Sequence, residues 1–182
     1  SPITIKSWSF FKKVVFVTIQ RRVMNSAYLV HATSDLERQW LIRAGVRADI
    51  ISVIPLCDEP LSRPQGIKDV KNTKNTSFIF VGRLARIKNL ENLISAFKSV
   101  NEKHKEAKLE IIGDFSTPYG QSLVKRATSC KNIFFTGELT QKEVLDRLSC
   151  ADYFVLPSFS ENFSYSALEA CYSGCNLVLS SN

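Results

Sequence analysis

The sequence lacks any hydrophobic run long enough to cross a membrane, because no stretch of about 18 consecutive apolar residues occurs in it. It contains only two histidines, His31 and His104, and neither lies at a spacing typical of metal ligands. Its five cysteines form no C-x-x-C pair, and their neighbours are mostly apolar. We therefore expect no spanning helix and no metal site, and we expect buried, reduced thiols in a reducing, cytoplasmic compartment.

Two nucleotide-binding fingerprints are also missing, namely G-x-G-x-x-G and the P-loop pattern G-x-x-x-x-G-K-[ST]. The composition is that of a globular protein, since 45% of the 182 residues are hydrophobic and 23% are charged. The formal net charge of +7 favours anionic partners such as phosphates or acidic membrane surfaces, although a basic surface without a specific role explains it equally well. Nucleic acid is not expected as a partner, because the basic residues are spread along the chain.

The pattern along the chain predicts three segments. Residues 1–56 include a basic, aromatic stretch at 7–24, which is either an amphipathic element lying on a membrane or a helix packed against a protein body. Residues 57–76 are rich in proline and polar groups and are predicted to be a linker. Residues 77–182 are expected to form a second domain that is cut short at its C-terminus.

From residue 77 onwards, predicted strands alternate with predicted helices. This order implies βαβ units, and therefore an α/β fold with a parallel sheet and helices on both faces. The strands are predicted at 77–81, 108–112, 132–135, 152–156 and 176–180, and the helices at 89–103, 119–129, 140–149 and 163–173. Before the linker, the sequence predicts strands at 27–32 and 49–54 and a helix at 34–44 that begins with a Ser34–Glu37 capping box.

The most informative motif is Glu161–Glu169, which places two acids eight residues apart at the junction of a predicted strand and the next helix. In a parallel α/β sheet, ligands bind beyond the carboxyl ends of the strands. The first turn of the following helix offers unpaired N–H groups and a partial positive charge to an anion. Carboxylates beside an anion site suit a ligand that carries hydroxyls as well as phosphate, and a sugar nucleotide is such a ligand.

A second motif follows the first strand of this domain. Gly82 permits a tight turn or the close approach of a ligand, and Arg83 and Lys88 flank the loop before a helix that Asn89 is expected to cap. Two cations near a helix N-terminus suit a diphosphate, although exposed loop charges are the simpler explanation for this motif alone.

Two weaker motifs lie after the next two strands. The first is Gly113–Asp114, and the second is Gly137–Leu139, which includes Glu138. A strand that ends in Gly-Asp is frequent in nucleotide-binding α/β proteins, and Gly137 could let backbone groups approach a flat base. Taken singly, each could equally be an ordinary loop glycine.

Taken in order, these motifs resemble the nucleotide-binding half of GT-B glycosyltransferases, and in particular the retaining, group 1 type of family 4. The matching pieces are Phe80–Leu84 with Lys88–Leu90, Ile111–Asp114, Phe134–Gly137, Ala151–Ser158 and Glu161–Gly174, preceded by His31–Ser34 and Ile51–Pro55. The family pattern often has glycine where this chain has Phe115, Asn162 and Ser164.

The resemblance implies a role for each motif. Arg83 and Lys88 would hold the donor diphosphate and, with Glu161, would form the catalytic set. Glu161 would lie by the donor sugar, and Glu169 would accept hydrogen bonds from the ribose. The remaining donor-binding positions implied are Gly82, Gly113, Gly137, Glu138, Leu139, Asn162, Phe163 and Ser164.

The implied activity is transfer of a sugar, with retention, from a UDP- or GDP-sugar to a glycan, lipid-linked or other acceptor, without metal or cofactor. Residues 1–56 would be the end of an acceptor-side domain, and the chain would be inactive by itself. A location at the inner face of a membrane is left open. The alternatives are a non-catalytic sugar-nucleotide-binding module of a glycan-assembly complex and a GT-B sugar-nucleotide epimerase.

Overall fold

The computed structural model describes residues 15–55, 75–161 and 163–180. Three predictions fall partly or wholly outside these residues: the first half of the basic stretch, most of the linker, and Asn162. The chain divides into two compact units. The described part of the first unit comprises residues 15–55 with 160, 161 and 163, and that of the second comprises 75–159 and 164–180.

The first unit is a small α/β layer. Its elements are a π-helical turn Phe16–Gln20, α1 Arg21–Ser26, β1 Val30–Ala32, α2 Asp35–Arg43, a 3-10 turn Ala48–Ile50 and β2 Ile51–Val53. The two strands pair in parallel, and their core consists of Ala32, Val46, Ile50 and Ile51. The described part of the basic, aromatic stretch, residues 15–24, is helical.

Helix α2 begins and ends where the sequence predicts, with one difference in its cap. The Ser34 hydroxyl accepts a hydrogen bond from the Glu37 N–H at 3.2 Å, as expected. The Glu37 carboxylate, however, accepts from the N–H and hydroxyl of Thr33 rather than from Ser34, so the expected capping box is only half formed. Gly45, at φ 89°, follows the C-cap residue Ala44 and ends the helix.

The second unit is a five-stranded parallel sheet with helices on both faces, which confirms the predicted α/β class. Its elements are β3 Ser77–Val81, a 3-10 turn Arg86–Lys88, α3 Leu90–Lys103, β4 Lys108–Ile112, α4 Pro118–Ala127, β5 Ile133–Gly137, α5 Gln141–Cys150, β6 Tyr153–Leu156, α6 Tyr165–Tyr172 and β7 Asn176–Leu179. The strand order is β5-β4-β3-β6-β7, so the chain moves outwards from β3 on one side and then crosses to the other.

Local sequence explains why the helices of this unit form. Along α3, the buried residues Leu90, Leu93, Ile94 and Phe97 recur at helical spacing and pack into the sheet core. Helix α5 begins with a complete capping box between Thr140 and Glu143. Asn89 lies at the N-cap of α3 as predicted, but it has φ 57° and its side chain makes no capping hydrogen bond.

The described cysteines are free thiols, as expected, but only half of them are buried. Cys130 and Cys175 lie in the core, whereas Cys150 and Cys171 are exposed. The apolar neighbours of Cys150 and Cys171 in the sequence therefore did not indicate their burial. No helix in the described part of the chain has the length and apolar character needed to traverse a bilayer.

Three glycines lie side by side at the carboxyl edge of the sheet. The Gly82 N–H donates to the Ile112 carbonyl at 3.1 Å, and the Gly113 N–H donates to the Gly137 carbonyl at 2.9 Å. Gly82, Gly113 and Gly137 all have positive φ. A Cβ atom on Gly113 would overlap the Gly82 carbonyl oxygen, whereas one on Gly137 would meet only a ring carbon of Phe115 at 3.8 Å. The sheet edge therefore needs glycine at position 113 for steric as well as conformational reasons.

Replacing Gly113 by alanine should destabilise the second unit more than replacing Gly137 by alanine. Both changes place a Cβ at positive φ, which costs about 1–3 kcal/mol. Only Gly113→Ala also forces a carbon atom against a backbone oxygen. Urea denaturation followed by far-UV circular dichroism gives both free energies of unfolding, and equal losses in the two variants would contradict the close approach of the two loops.

Candidate functional site

The loop after β3 carries the predicted phosphate-binding cations. It contains Arg83, which is exposed, and then a 3-10 turn that ends at the half-buried Lys88. The turn is closed by a hydrogen bond from the Lys88 N–H to the Ala85 carbonyl at 2.8 Å. The side chain of Arg83 has no hydrogen-bond or ion-pair partner among the residues that the structure describes. Its guanidinium is therefore available to an anionic ligand.

Arg86, in the same loop, is already engaged. Its guanidinium carbon lies 5.2 Å from the centre of the Tyr119 ring, and its Nη1 lies 3.8 Å from Glu91 Oε1. The Tyr119 hydroxyl in turn donates to Glu91 Oε2. Burial, followed by the hydrogen bond to Glu91, raises the pKa of Tyr119 well above its ordinary value. Tyr119 therefore remains a neutral donor, and it links the start of α4 to the start of α3 and to this loop.

The loop after β6 is attached directly to the loop after β3. The Phe159 N–H donates to the Ile87 carbonyl at 2.8 Å, next to Lys88. Ser158 is fully buried, and its carbonyl accepts a hydrogen bond from the Ser180 hydroxyl at 2.6 Å. The two loops that were expected to share one edge of the sheet are thus joined through their backbones.

Helix α6 begins at Tyr165, two residues after the predicted start at residue 163, and Ser164 is its N-cap. The Ser164 hydroxyl accepts from the Ala167 N–H at 3.2 Å and lies 3.2 Å from the Ser166 hydroxyl. This cap satisfies one of the amide groups of the first turn. Glu169 lies one turn further on, and its Oε1 accepts from Gln141 Nε2 at 3.5 Å.

The Gln141 contact brings two predicted parts of the site together. Gln141 is the first residue of α5 and is separated from the Gly137–Leu139 loop only by the N-cap residue Thr140. Glu169, predicted to bind the ribose, therefore lies next to the loop predicted to border the base. Within that loop Glu138 is exposed, whereas Leu139 packs against the core. Sequence reasoning missed Gln141, although a polar residue at the start of this helix was visible.

Phe115 occupies the position where the family pattern often has glycine. Its ring packs edge-on against Phe135, with centroids 6.0 Å apart, and its carbonyl accepts from Gln121 Nε2 at 2.9 Å. The preceding Asp114 accepts from the Ser116 N–H, and hydrogen bonds from Ser116 lower its pKa. The turn after β4 is thus closed by its own side chains, and Phe115 supplies an aromatic surface near Gly137.

The remaining predicted residues divide between the two units. Glu161 and Phe163 belong to the first unit, whereas Arg83, Lys88, Ser164 and the three glycines belong to the second. The convergence of Glu161 with the two cations therefore stays a prediction. Among the described residues, no group of three or more histidine, cysteine, aspartate or glutamate side chains is placed to hold a metal ion.

Comparison with known proteins identifies a family. The model of the group 1 glycosyl transferases matches residues 65–182, which is more than half of the chain. Sulfoquinovosyl transferase SQD2 of Arabidopsis thaliana is 40% identical over 100 residues, which cover 55% of this chain and 18% of that protein. The capsular polysaccharide biosynthesis glycosyltransferase CapH of Staphylococcus aureus is 31% identical over 119 residues, which cover 63% of this chain and 32% of that protein.

A solved structure shows the same fold. The crystal structure of HepE from Anabaena, in complex with UDP and glucose, superimposes with a TM-score of 0.76 at 22% identity and covers 98% of this chain and 50% of that one. The chain spans half or less of the length of all three proteins. The fold is that of GT-B glycosyltransferases, and the chain belongs to the group 1 glycosyl transferases.

Proposed function

We propose that the chain is the donor-binding part of a retaining glycosyltransferase of the family 4 type, which transfers a sugar from a nucleotide diphosphate sugar to a glycan or lipid-linked acceptor. The observation that carries this proposal is the hydrogen bond from Phe159 to Ile87. It attaches the loop with Arg83 and Lys88 to the loop that leads to the start of α6. Cations and helix amides at one edge of a sheet suit a diphosphate.

The names of the relatives support the choice of substrates. HepE was solved with UDP and glucose, one relative is a sulfoquinovosyl transferase and another acts in capsular polysaccharide biosynthesis. A UDP-sugar is therefore the first donor to test, ahead of a GDP-sugar. A cytoplasmic location and a peripheral contact with the inner face of a membrane stay predictions.

The proposed mechanism follows from the movement of charge during transfer. As the glycosidic bond to the donor breaks, negative charge builds on the leaving diphosphate. Arg83 and Lys88 would stabilise that charge more in the transition state than in the ground state, and the loss of such a group typically costs ~2.7–4 kcal/mol. Glu161 would lie beside the donor sugar, and Glu169 would hold the ribose hydroxyls.

The proposed nucleotide would lie along the edge of the sheet. Its base would lie at Gly137–Leu139, since Glu169 is joined to the end of that loop through Gln141. Its diphosphate would lie beyond Gly82 and Gly113, where the missing side chains leave the backbone accessible. Because the chain spans half the length of HepE, we expect it to bind the donor but to transfer little sugar by itself.

Removing either proposed phosphate cation should weaken UDP binding selectively. Arg83→Ala and Lys88→Ala each remove a charge-assisted hydrogen bond of about 1.5–3 kcal/mol, which corresponds to a roughly 10- to 150-fold loss of UDP affinity. Uridine affinity should be unchanged, because uridine has no phosphate. Isothermal titration calorimetry with UDP and uridine measures both.

Arg86→Ala is the matched control for these two variants. It removes a cation from the same loop, but one that is engaged with Tyr119 and Glu91, so its effect on UDP affinity should be much smaller. Equal losses of UDP and uridine affinity in Arg83→Ala and Lys88→Ala would refute the phosphate assignment.

Glu169→Gln should remove the preference for a complete ribose. The wild-type chain should bind UDP about tenfold more tightly than 2′,3′-dideoxy-UDP, because a hydrogen bond to a charged group contributes about 1.5 kcal/mol or more. In the variant, the two ligands should bind almost equally. Asp146→Asn, on the exposed surface of α5, serves as the control and should keep the preference. A variant that discriminates as well as the wild type would show that Glu169 does not contact the ribose.

Chelation should leave UDP binding unchanged. In the proposed site, Arg83 and Lys88 supply the positive charge that a divalent ion provides in other phosphate sites. UDP titrations before and after treatment with EDTA should therefore give the same dissociation constant. A loss of affinity that added Mg²⁺ or Mn²⁺ restores would overturn metal-independent binding.

Products distinguish the proposed transferase from its two alternatives. Transfer yields UDP together with a glycosylated acceptor. An epimerase yields a changed sugar without any acceptor, and a binding module yields neither. Incubating the full-length protein with a UDP-sugar and resolving the products by mass spectrometry and chromatography tests all three.

A further inference from the structure

A cavity of about 450 Å³ lies over the first three residues of β3 and β4 and reaches Thr136 of β5, which precedes Gly137. The last turn of α5 closes its other side. Its volume falls within the range of about 300–1,000 Å³ that is typical of ligand pockets. Its lining shares no residue with the proposed donor site, and Thr136 is the lining residue nearest to that site in the sequence, so one ligand could occupy the cavity while another occupies the carboxyl edge.

Strand register places an apolar, an acidic and an aromatic residue side by side in this cavity. Ile79 of β3 is opposite Glu110 of β4, and Glu110 is opposite Phe134 of β5, so the three lie in one row across the sheet. Ile79 is buried, whereas the Phe134 side chain remains 47% exposed. The cavity therefore combines an apolar floor with an accessible aromatic ring.

Among the described residues, only one of the two Glu110 carboxylate oxygens has hydrogen-bond or ion-pair partners. Its Oε1 accepts from the Thr136 hydroxyl at 2.7 Å and lies 3.3 Å from Arg147 Nη1. Within the described part of the chain, its Oε2 has no partner. A partly buried carboxylate that is positioned by two neighbours and retains one unused oxygen is a strong acceptor for a ligand donor.

Donors lie beside this acceptor. The Arg147 side chain is 54% exposed and uses one nitrogen for Glu110, so its other N–H groups remain available. Lys108, at the amino end of β4, also lines the cavity and is exposed. Glu110 and Arg147 neutralise each other as an ion pair, so the single positive charge of Lys108 is left at the cavity and disfavours a cationic ligand.

We propose that this cavity is a second carbohydrate site, which binds a neutral pyranose residue of a glycan. The C–H face of a pyranose is apolar and slightly positive, and it complements the negative π-face of Phe134. Neighbouring sugar hydroxyls both donate and accept, so one can donate to Glu110 Oε2 while the next accepts from Arg147. The site would hold a glycan on the face of the sheet that carries Ile79, Glu110 and Phe134, while the donor lies beyond the carboxyl edge.

Saturation-transfer NMR on the full 182-residue chain tests the proposal. The probes are methyl α-D-glucopyranoside, methyl β-D-galactopyranoside and methyl α-D-mannopyranoside, each measured with and without excess UDP. We expect saturation transfer to the ring protons of at least one probe, with an affinity that UDP does not change. Absence of transfer to all three probes would overturn the proposal, and so would displacement by UDP, which would place the sugar at the donor edge.

Two variants test whether the sugar binds in this cavity. Phe134→Leu keeps an apolar side chain but removes the aromatic face, and Glu110→Gln keeps the size but removes the charge. Each should weaken sugar binding roughly tenfold, leave UDP affinity within about twofold, and retain the wild-type circular dichroism spectrum. Tyr172→Ala, which removes another exposed aromatic ring from the second unit, should have no effect on either ligand.

Unchanged sugar binding in both Phe134→Leu and Glu110→Gln would refute this assignment. The result does not depend on the proposed function, because the sugar is measured in the absence of UDP as well as in its presence. A wild-type chain that binds sugar but not UDP would contradict the donor site alone, and one that binds UDP but not sugar would contradict this site alone.

Discussion

The close approach of backbone to backbone at the carboxyl edge of the parallel sheet is the constraint on which the second unit depends. Parallel strands end at one edge, so the loops after β3, β4, β5 and β6 compete for the same space. Gly82 and Gly113 meet there with no room for a Cβ on the second, and each also donates a hydrogen bond to the neighbouring strand. The absence of side chains leaves a surface of backbone on which a ligand can lie.

Several hydrogen bonds at this edge join one loop to another. Phe159 donates to Ile87, Ser180 donates to Ser158, and Gln141 donates to Glu169. Each of these bonds joins segments that are far apart in the sequence. Ser158 is buried, and a buried polar group without a partner would be costly, so the bond from Ser180 in particular stabilises one arrangement of the loops. The arrangement of the loops is therefore a property of the whole edge and not of any single motif.

The three basic residues of the β3 loop show how tertiary contacts assign roles. All three are basic residues of one loop, so from the sequence alone each is a candidate to bind phosphate. The Arg86 guanidinium lies over the Tyr119 ring and beside Glu91, which is in the first turn of α3. The Arg83 side chain, in contrast, is exposed. The sequence showed a basic loop before a helix, but Tyr119 is 33 residues beyond Arg86, and no local pattern indicated their contact.

The amino-acid sequence by itself determined the α/β class, the parallel sheet and most element boundaries, because these depend on local periodicity, caps and the alternation of strands with helices. Strands β3 and β4 lie at their predicted positions, and Thr140 and Ser164 cap their helices. The tertiary structure decided which loop groups are engaged, which cysteines are exposed, and that Ile79, Glu110 and Phe134 line one cavity. Those features depend on strand register and on contacts between distant segments, which propensity and spacing along a chain do not encode.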